Sequence, residues 1–161
     1  MDSFTERFKQ TAFIRLYTFW KIPLIWWIRP SMIESGANRT ELKIPLGRRT
    51  KNHLNSMYFG ALAIGAELVI AAKAVQTIAK HKKRVDFVFK DFKGNFLKRA
   101  DGDTHFICDQ GQAVEALIEK TIRTGEREEM LFTSYAVVPS KNPTEKIASF
   151  ELTLSVKYKS K

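Results

Sequence analysis

From residue 57 to about residue 80 the chain is apolar on nearly every face of a helix, rich in alanine, and interrupted by Gly60 and Gly65. A helix that is hydrophobic all round belongs in the interior of a fold. Its small residues let a sheet wrap closely around it. Near the start, Phe4, Phe8, Ala12, Leu16, Phe19 and Trp20 recur at helical spacing and predict an amphipathic helix over 3–21. That helix ends near Pro23, and 23–30 reads as a hydrophobic connector. Residues 38–46 alternate polar and apolar as a half-buried strand does, with Pro45 at its end or on an exposed edge.

After Arg84 the hydrophobic period changes to two. Residues 85–90, 96–100, 104–108, 130–138 and 148–158 read as strands, the second and third being one strand broken at Asp101-Gly102-Asp103. Lys93-Gly94-Asn95 reads as a hairpin turn, and 112–124 as a short amphipathic helix stopped by Gly125. No βαβ alternation is visible, so the sheet is expected to be antiparallel and the class α+β. The expected architecture is a curved antiparallel sheet around one long central helix, with an extra N-terminal helix. Residues 1–35 would be that helix and its connector, packed on a domain formed by 36–161.

Charge narrows the partners. Twenty-seven Lys and Arg against seventeen Asp and Glu give a net +10, which suits nucleic acid, an acidic membrane face or a phosphate-rich ligand. No recognised nucleic-acid module is present and the aromatics sit in core-like patterns, so nucleic acid is not the expected partner. The single cysteine, Cys108, excludes an internal disulfide and fits a reducing, cytoplasmic setting, as it would equally fit a cysteine-poor secreted protein. The apolar stretch 16–28 is too short for a bilayer span of about 20 residues, and Asp2 and Glu6 do not suit a secretory signal. His53, His81, His105 and Cys108 show no metal-ligand spacing, and no metal or resident cofactor is expected.

The entry to the long helix reads Asn52-His-Leu-Asn-Ser-Met-Tyr-Phe-Gly-Ala-Leu-Ala-Ile-Gly-Ala-Glu67. This segment resembles the hotdog superfamily of acyl-CoA thioesterases, in particular the phenylacetate-degradation type and a thioesterase-like branch beside it. Those proteins carry an Asn, then Gly-Thr-x-His-Gly-Gly, then small apolar residues ending in a carboxylate. Gly60 takes the second-glycine position, Ser56 the threonine and Glu67 the carboxylate. Tyr58 stands where many relatives have His, Phe59 where they have the first glycine, and Asn55 replaces the glycine before Ser56. The motif covers 52–67, and the element order matches over 36–160.

The residues have a chemical logic of their own. A helix N-terminus offers free N–H groups and a favourable dipole to the charge that develops on a thioester carbonyl. Gly60 lets that carbonyl approach the backbone. Asn52 or Asn55 would orient a water or the carbonyl, or cap the helix instead, with Ser56 competing for the cap. Glu67 is the only charged residue from 57 to 72; it is a candidate general base or nucleophile, or else a structural Glu facing a polar gap or a basic partner. Tyr58, Phe59 and Ser56 are the candidate substrate contacts, Tyr58 alternatively a packing aromatic.

The resemblance implies that the carboxylate and the helix N-terminus of one site come from different subunits of a homodimer, leaving dimer against tetramer open. It also implies an acyl-CoA or acyl-carrier-protein thioester as substrate, with coenzyme A entering only as part of it. Of two basic clusters, Arg48, Arg49 and Lys51 precede the helix, and Lys80, Lys82, Lys83 and Arg84 follow it. By analogy Lys82, Lys83 and Arg84 would hold the coenzyme A phosphates; the alternative is a solvated surface run. Trp20, Trp26 and Trp27, with Ile22, Leu24, Ile25 and Ile28, leave three roles open: cover for the sheet, lining of an acyl tunnel, or peripheral contact with a membrane interface. The leading function is acyl-thioester hydrolysis; the alternative is a non-catalytic hotdog domain that binds an acyl thioester or lipid.

Overall fold

The structure, a computed structural model, describes residues 4–159. Its elements are α1 (Phe4–Lys21), α2 (Pro23–Trp27), β1 (Ser31–Ser35), β2 (Thr40–Ile44), α3 (Phe59–His81), β3 (Val85–Phe89), β4 (Lys93–Phe96), β5 (Thr104–Cys108), α4 (Gly111–Thr124), β6 (Arg127–Val138) and β7 (Asn142–Tyr158). The strands form one antiparallel sheet in the order β1-β2-β5-β6-β7-β3, with β4 also paired to β7.

The long helix α3 is the centre of the core, as its all-round apolarity requires. Ala66, Val69, Ile70 and Ala74 are fully buried against inward residues of the strands, among them Leu42, Phe106, Phe132, Phe150 and Leu154. By length and composition α3 would also pass for a membrane span, but most of it is buried inside the fold. Its close seat depends on Gly65: a Cβ there would stand 2.3 Å from the ring of Phe106.

Several boundaries differ from the sequence pattern. Lys93-Gly94-Asn95 is not a hairpin turn but part of β4, and 96–100 beyond Phe96 is not a strand. The cause is β7, whose seventeen residues pair β6 along one side and both β3 and β4 along the other. Strand pairing here overrides local turn chemistry. The pattern also missed β1, a short strand with a bulge between Met32 and Glu34.

The largest departure concerns α1. An amphipathic helix ordinarily packs its apolar stripe inward, yet Phe4, Phe8, Ala12, Leu16, Phe19 and Trp20 all face outward. The opposite side packs along β1, the open edge of the sheet. There Thr11 Oγ1 accepts from the Met32 N–H at 3.0 Å, Arg7 donates to the Ile33 carbonyl at 3.4 Å, and Arg15 donates to the Pro30 carbonyl at 3.0 Å. A sheet edge leaves backbone groups unpaired, and only polar side chains can satisfy them. The edge therefore selects the polar face.

Lys73 is a second buried polar feature that the pattern did not single out. It lies on α3, donates to the Gly36 carbonyl at 3.3 Å and pairs with Glu115 of α4 at 3.4 Å. Lys80 with Lys73 holds the Glu115 carboxyl below its usual range. Removing one member of a buried pair strands the other. Glu115→Ala is accordingly expected to destabilise by about 1–3 kcal/mol, and Lys73→Met by less, as read from urea denaturation midpoints. An equal or larger loss in Lys73→Met would contradict this account.

Candidate functional site

The entry to α3 is built by the loop before it. Asn52 Oδ1 accepts from the backbone N–H of Leu54 at 2.9 Å and of Ser56 at 3.2 Å, and its Nδ2 donates to Ser56 Oγ at 3.2 Å. Asn55 sits in the left-handed region at φ 58°, where Asn is tolerated better than most residues, and its Oδ1 accepts from Lys51 Nζ at 3.2 Å. Neither asparagine nor Ser56 caps the helix. The cap position is Tyr58, in extended conformation and without a side-chain cap bond. The Asn52 carboxamide is thus taken up by the loop, because residues 52–56 close a turn of their own before the helix begins.

That arrangement leaves a defined pair of donors. The Met57 N–H goes to the Ala100 carbonyl, that of Tyr58 to Thr50, and those of Ala61 and Leu62 to Tyr58. The backbone N–H groups of Phe59 and Gly60 have no acceptor among the described residues. They open beside a cleft of about 400 Å³ lined by Asn52, Ser56, Phe59, Leu62, Phe96, Lys98 and Arg99. The space that a side chain on Gly60 would need is occupied by the ring of Tyr58, 2.7 Å from the Cβ position. Tyr58 is itself exposed, so its ring lies over the helix entry from outside.

Glu67 lies two turns further along α3, on the same face as Gly60, since seven residues advance a helix by nearly two full turns. It is half-buried and has no hydrogen bond or ion pair with any described residue. Burial pushes its carboxyl above the usual carboxylate range. On one side it lines an apolar chamber of about 330 Å³ between α1 and α3, walled by Phe13, Ile14, Tyr17, Ile22, Ile25, Leu68, Ala71, Val75 and Phe87. On the other it borders a cleft with Ala63, Ile64, Phe89 and Phe92. Gln10 also lines the chamber, and its Oε1 is buried with no donor among the described residues. Sequence reasoning did not single out Gln10, because a glutamine on a helix carries no signal until its neighbours are known.

A family model, the domain of unknown function DUF4442, matches residues 10–133. The chain belongs to the DUF4442 family. No protein of curated function matches this DUF4442 chain in sequence. Among solved structures it is similar to a candidate thioesterase of Shewanella oneidensis, at TM-score 0.75 and 11% identity over 91% of this chain and 96% of that one. It is similar to OLEI01261, a protein of unknown function from Chlorobaculum tepidum, at 0.79 and 10% over 95% and 97%. A third is mouse thioesterase superfamily member 2, at 0.58 and 12% over 98% of both chains. Identities this low speak for the fold alone. This DUF4442 chain has the hotdog fold, in agreement with the resemblance at 52–67.

The DUF4442 fold brings some candidates together and separates others. Asn52, Ser56 and Phe59 line one cleft, with Tyr58 and Gly60 at its helix entry. Lys82, Lys83 and Arg84 are exposed just past the other end of α3, about 35 Å from its N-terminus by helix rise. Lys98 and Arg99 are the basic residues that share the entry cleft. None of the three histidines lines it, although His53 belongs to the 52–56 turn at its edge. His105 Nδ1 pairs with Glu41 at 2.6 Å in a strand-to-strand contact, and that bond holds the Glu41 carboxyl down. Cys108 is buried, and burial pushes its thiol up, which does not suit a nucleophile.

Proposed function

We propose that this protein hydrolyses an acyl thioester, of coenzyme A or of acyl carrier protein, with the acyl chain in the chamber beneath α1. The observation that carries this reading is Glu67: a carboxylate without a partner among the described residues, on the wall of an apolar chamber and on the same helix face as two N–H groups that have no acceptor among those residues. In the proposed reaction Glu67 takes a proton from water, and the resulting hydroxide attacks the thioester carbonyl. The N–H groups of Phe59 and Gly60 hold the developing oxyanion. The C–S bond then breaks and the thiolate leaves with the proton from Glu67.

One chain does not assemble this site. Glu67 and Gly60 are separated by about 10 Å of helix rise, whereas a general base must lie within roughly 3 Å of its proton, or one water further. Glu67 of one copy facing the helix entry of a second copy meets both conditions, so the working unit is a homodimer. The β3 edge, unpaired on its outer side among the described strands, offers that second copy a strand to pair with. Tyr58 and Phe59 would border the thioester. Lys98 and Arg99 meet the coenzyme A phosphates in the same cleft, while Lys82, Lys83 and Arg84 serve only if the partner's cleft opens beside them.

A second reading, a non-catalytic acyl-binding domain, is favoured by the Tyr58 ring lying over Gly60. Free-thiol release from acyl-CoA esters of graded chain length separates the two. Hydrolysis with a preference for medium over very short chains is expected. Val75→Phe narrows the chamber and should shift the preference towards shorter chains by roughly tenfold or more in kcat/KM, since one methylene in a hydrophobic pocket is worth about 1–3 kcal/mol. Binding without turnover would establish the second reading. An unchanged chain preference in Val75→Phe would take the acyl chain out of this chamber.

A further inference from the structure

We propose that the outward face of α1 and α2 docks on an anionic phospholipid bilayer. The inference stands apart from the catalytic reading and rests on the inverted helix. Phe4 is 77% exposed, Leu16 66% and Trp20 75%; they belong to the i, i+4 row of residues that winds along the solvent side of α1. The stripe continues onto α2 through ring contacts: Phe19 to Trp26 at 5.1 Å, and Trp26 to Trp27 at 6.5 Å. Isolated exposed apolar residues are ordinary, but a continuous apolar face marks an interaction surface.

Charge selects the occupant. Of the charged residues described in 4–30, Lys9, Lys21 and Arg29 are exposed against Glu6 alone, while Arg7 and Arg15 bond to the sheet edge. The following basic cluster, Arg48, Arg49 and Lys51, is held at the rim of the patch by Arg49, whose guanidinium lies 4.3 Å from the centre of the Trp27 ring. A second copy of this chain would bring the same excess of positive charge against itself. An anionic bilayer instead offers hydrocarbon to the stripe and phosphates to the basic rim. Aromatic side chains at the water–lipid boundary with basic residues beside them are the pattern of helices that lie in the interface plane. The polar side of α1 is already bonded to the sheet edge, so the apolar side is held outward. The helix can therefore meet a membrane without unfolding the domain.

The chain's three tryptophans, Trp20, Trp26 and Trp27, all lie on this patch, so their fluorescence reports on it without a label. The full-length protein is expected to sediment with vesicles of equal parts phosphatidylcholine and phosphatidylglycerol, with a blue-shifted emission. Binding should be weaker to pure phosphatidylcholine and weaker at high salt. Leu16→Glu with Trp20→Glu, both at exposed positions, should lower vesicle affinity by roughly tenfold or more while thermal unfolding stays cooperative. Lys21→Glu with Arg49→Glu should do the same on anionic vesicles only. Failure to bind the anionic vesicles, or equal affinity for neutral ones, would overturn the proposal. So would a halving of the solution mass in Leu16→Glu with Trp20→Glu when the parent shows no vesicle binding, which would make the face a self-association surface.

Discussion

Glu67→Gln is expected to lower thiol release from acyl-CoA by roughly 10²- to 10⁴-fold, the range for loss of a general base, with acyl-CoA binding retained. The amide keeps the size and shape of the side chain on the chamber wall but cannot take a proton from water. Because the Glu67 carboxyl is raised by burial, the acidic limb of kcat/KM should lie above the usual carboxylate range. If the limb falls at an ordinary carboxylate pH, another group is the base. A non-additive experiment tests the shared site. Glu67→Gln mixed with Phe59→Pro, which removes one N–H donor at the first helical position, where proline is tolerated, should regain activity in mixed dimers. Each variant alone stays inactive. Without regain, the base and the donors do not come from different copies.

The same substitution has a signature in stability, and its sign follows from proton binding. The folded protein holds the Glu67 proton to higher pH than the unfolded chain does. Between the two pKa values the unfolded state binds fewer protons, so this group's contribution to stability falls as pH rises through that window. Below the ordinary carboxylate pKa the penalty is absent. Glu67→Gln removes it, and the variant should therefore melt higher than the parent at neutral pH and converge with it in acid. Thermal melts across pH decide the matter. A variant that melts lower at neutral pH would mean that Glu67 has a partner in the folded protein.

The second large effect lies in the core. Phe106→Ala is expected to destabilise by about 3–5 kcal/mol, the usual loss for a buried aromatic ring. Phe106 is fully buried, it packs against the ring of Phe150, and it fills the space left by Gly65. Gly65→Ala should destabilise on its own by about 1–3 kcal/mol as an overpacking change, although alanine favours a helix over glycine by about 1 kcal/mol. In the Phe106→Ala background the clash is gone, so Gly65→Ala should become neutral or stabilising. A double-mutant cycle on denaturation midpoints measures that coupling. Additive effects would mean that Phe106 relaxes away from α3 at little cost.

The long central helix was legible because apolarity on all faces admits only a buried position. The strands 104–108, 130–138 and 148–158 were legible from their period of two, and Gly125 from its role as a helix stop, taken here at φ 75°. The carboxylate at Glu67 stood out because it is the one charge in that apolar run. Its isolation in the structure follows from the same composition.

What the sequence could not determine depended on partners distant along the chain. The apolar stripe of α1 is plain in the sequence, but its direction was decided by the unpaired edge of β1, which draws Thr11, Arg7 and Arg15 to the inside. The turn chemistry of Lys93-Gly94-Asn95 lost to the length of β7. The capping role open to Asn52, Asn55 and Ser56 was removed by the turn that they close among themselves. Local pattern determines which residues seek burial; hydrogen-bonding partners and available space, set only in the folded chain, decide which of them obtain it.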